Sequence, residues 1–287
     1  MSEANQAALE PGLYLVATPL GNLSDLTDRA RETLSRASFI AGESSKGVLR
    51  WLEILGPWSA ERRRPGVLTY RESSRTADEN RILGCLENQS SVALISDAGT
   101  PCISDPGWQL VERVRAAGFA VWSIPGPCAA VAALASSGFP ARHFAFEGFL
   151  PSRGKARRER LQRIACYESP VIMYESPHDL LDTLGELAAL DPEREIFISR
   201  EMTKLYEEAW RGTLSQAVTS WAEKLVKGEF TLVLGPKPEG DRTETVDVPL
   251  ETVALIRELG LPTKASATLL HHLYPTFSKR EFYRLLT

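Results

Sequence analysis

Apolar runs of four to six residues alternate along the first half of the chain with longer segments whose apolar positions recur every three or four residues. The first pattern predicts buried strands, the second amphipathic helices. Strands are predicted at Leu13–Ala17, Ser38–Ala41, Val67–Tyr70, Val92–Ile95 and Phe119–Ile124. Helices are predicted between them, over 25–37, 47–55, 76–87 and from Trp108 to Ala117. Strands and helices alternating at this length point to a mostly parallel sheet. The second half gives strands at His143–Glu147, Val171–Tyr174, Ile196–Ser199 and Phe230–Leu234, with helices near 155–166, 177–189 and 214–227. Few parallel crossovers are visible there, so a mixed sheet is expected.

Punctuation between these patterns divides the chain. Residues 1–11 read as a disordered N-terminus and 12–125 as a first α/β domain. Pro125-Gly126-Pro127 opens an Ala-rich segment and a second α/β domain, 126–235. The stretch 236–248 carries Pro236, Pro238, Gly240 and several charges, which is linker composition. Three short helical patterns near 250–259, 263–273 and 278–286 form a tail over 249–287. Its size suits either a helix-turn-helix, a common nucleic-acid module, or a helical cap.

The longest interruption is Ser96-Asp97-Ala98-Gly99-Thr100-Pro101-Cys102-Ile103-Ser104-Asp105-Pro106-Gly107, between a strand and a helix. A mere connection needs about 2–6 residues. At the carboxyl end of a parallel strand, such a loop lies where open α/β sheets bind ligands. Pro19–Asn22 and Pro125–Pro127 also end strands and belong on the same rim. Together these loops offer backbone N–H and C=O groups, glycines that let a ligand approach, and the carboxylates of Asp97 and Asp105, but no cluster of Lys or Arg. That suits a nucleoside-like ligand better than a di- or triphosphate.

Composition narrows the chemistry further. The chain has 287 residues, 43 % of them hydrophobic, and a net charge of −4, so any nucleic-acid contact must rest on local patches. Cys85, Cys102, Cys128 and Cys166 form no C-x-x-C pair and read as reduced, cytosolic cysteines. No apolar run approaches the ~20 residues of a membrane span. There is no G-x-G-x-x-G after a strand, no G-x-S-x-G, no H-E-x-x-H and no zinc pattern. The nearest stretch to a Walker loop, Gly148–Ala156, has one residue too many and lacks the hydroxyl for magnesium.

Two charged segments remain. Arg153, Lys155, Arg157, Arg158 and Arg160 place five cations in eight residues at a helix start, where positive charge is unfavourable. The segment is either a solvated helix end or a set of RNA phosphate contacts, with Asn22 a further candidate on the rim. Arg200–Glu208 is dense in both signs and reads as an ion-pair network or as a wall of the substrate site.

Six segments in order carry a family resemblance: Ala17–Leu23, Ser96–Gly107, Pro125–Ala130, Glu147–Pro151, Tyr174–His178 and Arg200–Lys204. The set resembles the small-subunit ribosomal RNA methyltransferases of the tetrapyrrole methylase superfamily over about 12–235. The resemblance implies S-adenosylmethionine as methyl donor in a cleft between two α/β domains, a cytoplasmic homodimer, and 2′-O-methylation of a cytidine in the decoding region of 16S rRNA or of the small subunit. It implies donor contacts from Asp97, Ala98, Gly99, Thr100, Pro101, Ile103, Ser104, Pro125, Gly126 and Pro127. Transfer to a ribose hydroxyl needs alignment and a proton acceptor. Glu201, Lys204 and Glu175 are candidates, and the sequence does not choose among them. The chain departs from the family pattern at Glu43-Ser44-Ser45-Lys46, where Glu-Asp-Thr-Arg is common, and near Tyr70–Ser73, where a His-rich acidic turn is common. Rival readings are methylation of a tetrapyrrole or other small molecule on the same scaffold, and a non-enzymatic RNA-binding factor.

Overall fold

A computed structural model describes residues 9–59, 63–224, 226–237, 250–274 and 279–286. The first sheet has strands β1 (Gly12–Val16), β2 (Phe39–Gly42), β3 (Gly66–Thr69), β4 (Ser91–Leu94) and β5 (Val121–Ile124) in the order β3-β2-β4-β1-β5. All four pairings are parallel, as the alternating pattern predicts. The connecting helices are α1 (Asp28–Arg36), α2 (Ser45–Leu55), α3 (Arg75–Glu87) and α4 (Trp108–Ala116). They cover both faces. Tyr14, Val16, Ile40 and Ala93 pack with α1 and α2, while Leu13, Ala41, Val92 and Leu94 pack with α3 and α4. Successive residues of a strand point to opposite faces, which is why the central strands read as continuous apolar runs.

The second sheet has the order β6-β7-β10-β8-β9, from β6 (Ala145–Phe149), β7 (Val171–Glu175), β8 (Glu195–Arg200), β9 (Glu208–Thr213) and β10 (Phe230–Leu234). Only β6–β7 is parallel, so the expected mixed sheet is present. On one face α6 (Gly154–Cys166), α7 (Leu180–Leu190) and α8 (Leu214–Ala222) bury Val171, Met173, Ile196, Ile198 and Leu232. On the other, α5 (Ala129–Ser137) packs Ala130, Ala133 and Leu134 against Ile172, Phe197 and Val233. Because α5 directly follows the loop after β5, the rim of the first sheet is carried to the second.

Several expected boundaries shift for local reasons. The first helix starts at Asp28 rather than 25, because the Thr27 hydroxyl caps it through Ala30 N–H at 3.1 Å. The helix expected from 177 begins at Leu180, after a turn in which the Ser176 hydroxyl donates to Asp179 at 2.8 Å. Strand β9 is absent from the sequence reading. It is an edge strand that carries Glu208 and Arg211, and edge strands use charge to avoid further pairing.

Contacts group both sheets into one compact unit ending at Pro236, with a second unit from Lys237 on. The second unit holds α9 (Leu250–Glu258), α10 (Thr263–Leu273) and α11 (Lys279–Leu286) around Val253, Ile256, Ala267, Leu270 and Phe282. Most of the expected N-terminal disorder and of the expected linker falls outside the described residues. No helix among the described residues is long and apolar enough to cross a membrane.

Candidate active site

All five strands of the first sheet run the same way, so the loops after β1, β4 and β5 share one rim. Backbone bonds lock them together. Thr18 N–H donates to Gly99 O at 2.8 Å and Gly99 N–H returns a bond to Thr18 O at 3.0 Å. The Thr100 hydroxyl donates to Pro127 O at 2.9 Å, which ties the β4 loop to the β5 loop. Gly99 has φ +82°, and a Cβ there would lie 3.1 Å from Leu20 Cδ2. Gly126 lies against Ala17, where a Cβ would come within 2.8 Å. Cys102 and Ser104 are held at φ +71° and +63°, unusual for residues other than glycine.

Facing this rim, the ends of β6, β7, β8 and β10 close a cavity of about 380 Å³. Of the residues expected to hold a cofactor, Asp97, Ala98, Gly99, Thr100, Ile103 and Ser104 line it. Pro101 is buried beneath the loop, and Pro125, Gly126 and Pro127 stand on the rim just before the lining residues Cys128 and Ala129. The second sheet adds Phe149, Tyr174, Glu175, Met202 and Thr231. Sequence reasoning missed these except Glu175. Tyr174 and Phe149 lie within segments that carry the resemblance, and position in the chain gave no sign that both face the cavity. Their rings meet at 5.5 Å, and the Tyr174 hydroxyl accepts from Ala130 N–H at 3.2 Å.

Asp97, Asp105, Glu175 and Glu229 line the cavity, and among the described residues no Lys or Arg does, although Lys204 pairs with Glu229 from outside it. Burial and the nearby Glu43 carboxylate push the Asp105 carboxyl up to about 6. Glu43 is itself raised, by burial and then by Asp97.

The three proton-acceptor candidates separate. Lys204 donates to Glu201 and Glu229, both at 2.9 Å. Burial opposes its charge, yet the bonds to Glu229 and Glu201 hold its pKa above the usual lysine range. It is an ammonium with no lone pair to accept a proton, which counts against Lys204 among the three candidates. Glu201 is raised by burial, but Lys204 and the Glu229 N–H outweigh this and keep it below the usual carboxylate range. Its carboxylate is a support for a strained turn, with φ +50° at Glu201 and +65° at Thr203. Glu175 alone of the three lines the cavity. Burial raises its pKa against bonds from the Thr183 hydroxyl at 2.5 Å and Ser176 N–H at 2.9 Å.

The basic segment also divides. Arg157 is buried and donates to Glu186 at 2.6 Å, Thr183 Oγ1 at 2.7 Å and Pro151 O at 3.2 Å. It is therefore no phosphate contact, because its guanidinium is already held inside the fold. Arg160 is engaged by the buried Glu147, which also binds Arg163 and Tyr167. Asn22 is exposed, and its Oδ1 accepts from Ser24 N–H at 3.0 Å, capping a short turn. Arg153, Lys155 and Arg158 are exposed.

A rim of locked loops thus faces a mixed sheet across an acidic cavity. The family of Tetrapyrrole (Corrin/Porphyrin) Methylases matches residues 12–218. The protein named Ribosomal RNA small subunit methyltransferase I from Haemophilus influenzae is 38 % identical over 95 % of each chain. That of Synechocystis sp. is 43 % identical, covering 79 % of this chain and 80 % of its own. Uroporphyrin-III C-methyl transferase from Thermus thermophilus, solved in complex with S-adenyl homocysteine, superposes with a TM-score of 0.54 at 18 % identity, over 77 % of this chain and 96 % of its own. The chain belongs to the tetrapyrrole methylase family and, within it, to the group formed by the ribosomal RNA small subunit methyltransferases I.

Proposed function

We propose that the chain transfers a methyl group from S-adenosylmethionine to small-subunit ribosomal RNA, at the ribose 2′-hydroxyl of a cytidine in the decoding region of 16S rRNA. The observation that carries the donor assignment is the acidic cavity with no lining cation. A polyphosphate ligand would need Lys or Arg there, whereas a sulfonium is matched by carboxylates. When bound, S-adenosylmethionine would supply an electrophilic methyl group with a neutral thioether as its leaving group. Gly99, Thr100 and Ala98 would hold the donor through their backbone, and the carboxylates of Asp97 and Asp105 would complement its positive charge. Phe149 and Tyr174 exclude water from one side. Glu175 accepts the hydroxyl proton as the new O–C bond forms, and Thr183, itself bonded by Arg157, holds that carboxylate in place. Arg153, Lys155 and Arg158 contact RNA phosphates. The enzyme works as a homodimer in the cytoplasm.

The test is radiolabelled methyl transfer to unmethylated 16S rRNA and to small subunits, compared with a pool of small metabolites. Label in a cytidine 2′-O position of the RNA is expected. Label only in small molecules would overturn the RNA assignment. Glu175→Gln is expected to lower kcat by about 10²–10⁴-fold, the usual range for a lost general base, with donor Kd within about threefold. An unchanged kcat would remove Glu175 from the mechanism.

A further inference from the structure

A second hollow of about 500 Å³ lies on the same rim, between the β1 loop and α2. Pro19, Leu20, Gly21 and Leu23 form one wall. Lys46, Arg50 and Ile54 form the other, at successive i, i+4 positions that share one helix face, and Trp51 joins them. Lys46 and Arg50 are both exposed, and neither has an ion-pair or hydrogen-bond partner among the described residues. The hollow shares Leu20 and Asp97 with the acidic cavity. The two spaces thus meet at a common wall but differ in chemistry: one is acidic without a cation, the other lined by two free cations.

The cations are in a costly place. α2 has no acidic residue in its first turn, and Lys46 stands there instead, against the positive end of the helix dipole. The single carboxylate lining the hollow, Asp97, lies on the shared wall, where a Cβ on Gly47 would come within 3.4 Å of its Oδ1. Asp97 thus stands against the first turn of α2 itself, and the two exposed cations outweigh this one carboxylate, so an anion is drawn to Lys46 and Arg50. The two Cα atoms stand about 6 Å apart along the helix, at 1.5 Å rise per residue. Leu23, Ile54 and Trp51 supply an apolar floor beside them.

We propose that this hollow binds the phosphodiester backbone next to the methyl-accepting nucleotide, with Lys46 and Arg50 as the phosphate contacts that present the ribose at the wall shared with the donor cavity. The proposal rests on the RNA-methylation reading and adds to it a phosphate-binding subsite that positions the acceptor nucleotide. A free polyphosphate would fill the same cations but gains nothing from a neighbouring methyl donor. This places the RNA strand across α2 as well as along the basic start of α6.

The test compares the wild type, the double variant Lys46→Gln/Arg50→Gln and the charge-conserving Lys46→Arg/Arg50→Lys, using full-length protein. Donor affinity is measured by calorimetry with S-adenosylmethionine, and kcat and KM with unmethylated 16S rRNA and small subunits over a salt series. The neutral variant is expected to keep donor Kd within twofold and to lose at least tenfold in kcat/KM for RNA, mostly through KM. Its log–log salt dependence should flatten by about 1.4, two single-strand phosphates at about 0.7 each. The charge-conserving variant should recover most of the loss. An unchanged kcat/KM and salt slope in the neutral variant, while the wild type labels RNA, overturns this subsite and leaves the RNA reading standing. Donor affinity falling in parallel with RNA methylation also overturns it, because the hollow would then belong to the donor site. No RNA label from the wild type overturns the broader reading and the subsite with it.

Discussion

Asp105 is half-buried in the β4 loop near Glu43 and Asp97, and its pKa of about 6 follows from burial first and from Glu43 next. A carboxyl raised above its unfolded value of 3.8 favours the protonated folded state. The stability it contributes is fully present below about pH 4 and is lost as pH rises through about 6. Donor binding runs the other way, because a sulfonium prefers the ionised carboxylate. Calorimetry should show the affinity for S-adenosylmethionine weakening as pH falls from 7.5 to 5, with S-adenosylhomocysteine, which lacks the sulfonium charge, losing less. Asp105→Asn should flatten the difference, and equal pH profiles for the two ligands in the wild type would remove Asp105 from the donor's electrostatic surroundings. Arg157 makes the opposite point about what residues reveal. In the sequence it is one of five cations in a short run, and nothing local separates it from Arg158. Its partners Thr183 and Glu186 lie 26 and 29 residues away on α7, so its burial depends on a helix–helix contact that no local pattern encodes. Arg157→Ala should cost about 2–3 kcal/mol of stability, as hydrogen bonds to a charged group are worth about 1.5–3 kcal/mol each. Arg158→Ala should leave the unfolding midpoint unchanged and weaken RNA binding instead. Urea unfolding of the two variants side by side decides this, and equal midpoints would refute the assigned division of the patch.

At the scale of elements, the parallel sheet was legible because both of its faces are covered, which makes its central strands continuous apolar runs. The β4 loop was legible because its length exceeds what a connection needs. Strand β9 was not, since Glu208, Arg211 and Gly212 obscure the alternation, and its pairing with β8 is what makes it a strand. The antiparallel strands also hid half of the site. Met202 follows β8, while Phe230 and Thr231 open β10, and only the sheet order brings them to one end. The β4 loop itself depends on backbone geometry that a side chain disturbs. Gly99→Val places a β-branched residue at φ +82° and 3.1 Å from Leu20, at a cost of about 1–3 kcal/mol. It should retain cooperative unfolding at a lower midpoint and lose donor affinity by at least tenfold. Gly84→Ala, within α3 where a Cβ meets nothing within 4 Å, should instead raise stability by about 0.5–1 kcal/mol with donor affinity intact. Donor binding preserved in Gly99→Val would show that the loop conformation does not form the site.

For the whole molecule, the two α/β layers and the helical tail were readable from periodicity, because each element's apolar face is long enough to show its repeat. The pairing of the two sheets around one cavity was not, because it depends on α5 packing against the second sheet while the loop before it stays locked to the first through Thr100 and Pro127. That arrangement places the donor cavity and the hollow beside α2 in the unit ending at Pro236, since every described residue lining either space lies within it. The tail has a core of its own in Val253, Ile256, Ala267, Leu270 and Phe282. A chain cut after Pro236 should therefore still unfold cooperatively and bind S-adenosylmethionine with a Kd within about threefold of the full chain, because no donor contact and no core residue of either sheet is removed. Calorimetric titration of the truncated chain against the full one is the measurement. A loss of donor binding larger than tenfold, in a truncated protein that still unfolds cooperatively, would mean that the tail completes the donor site.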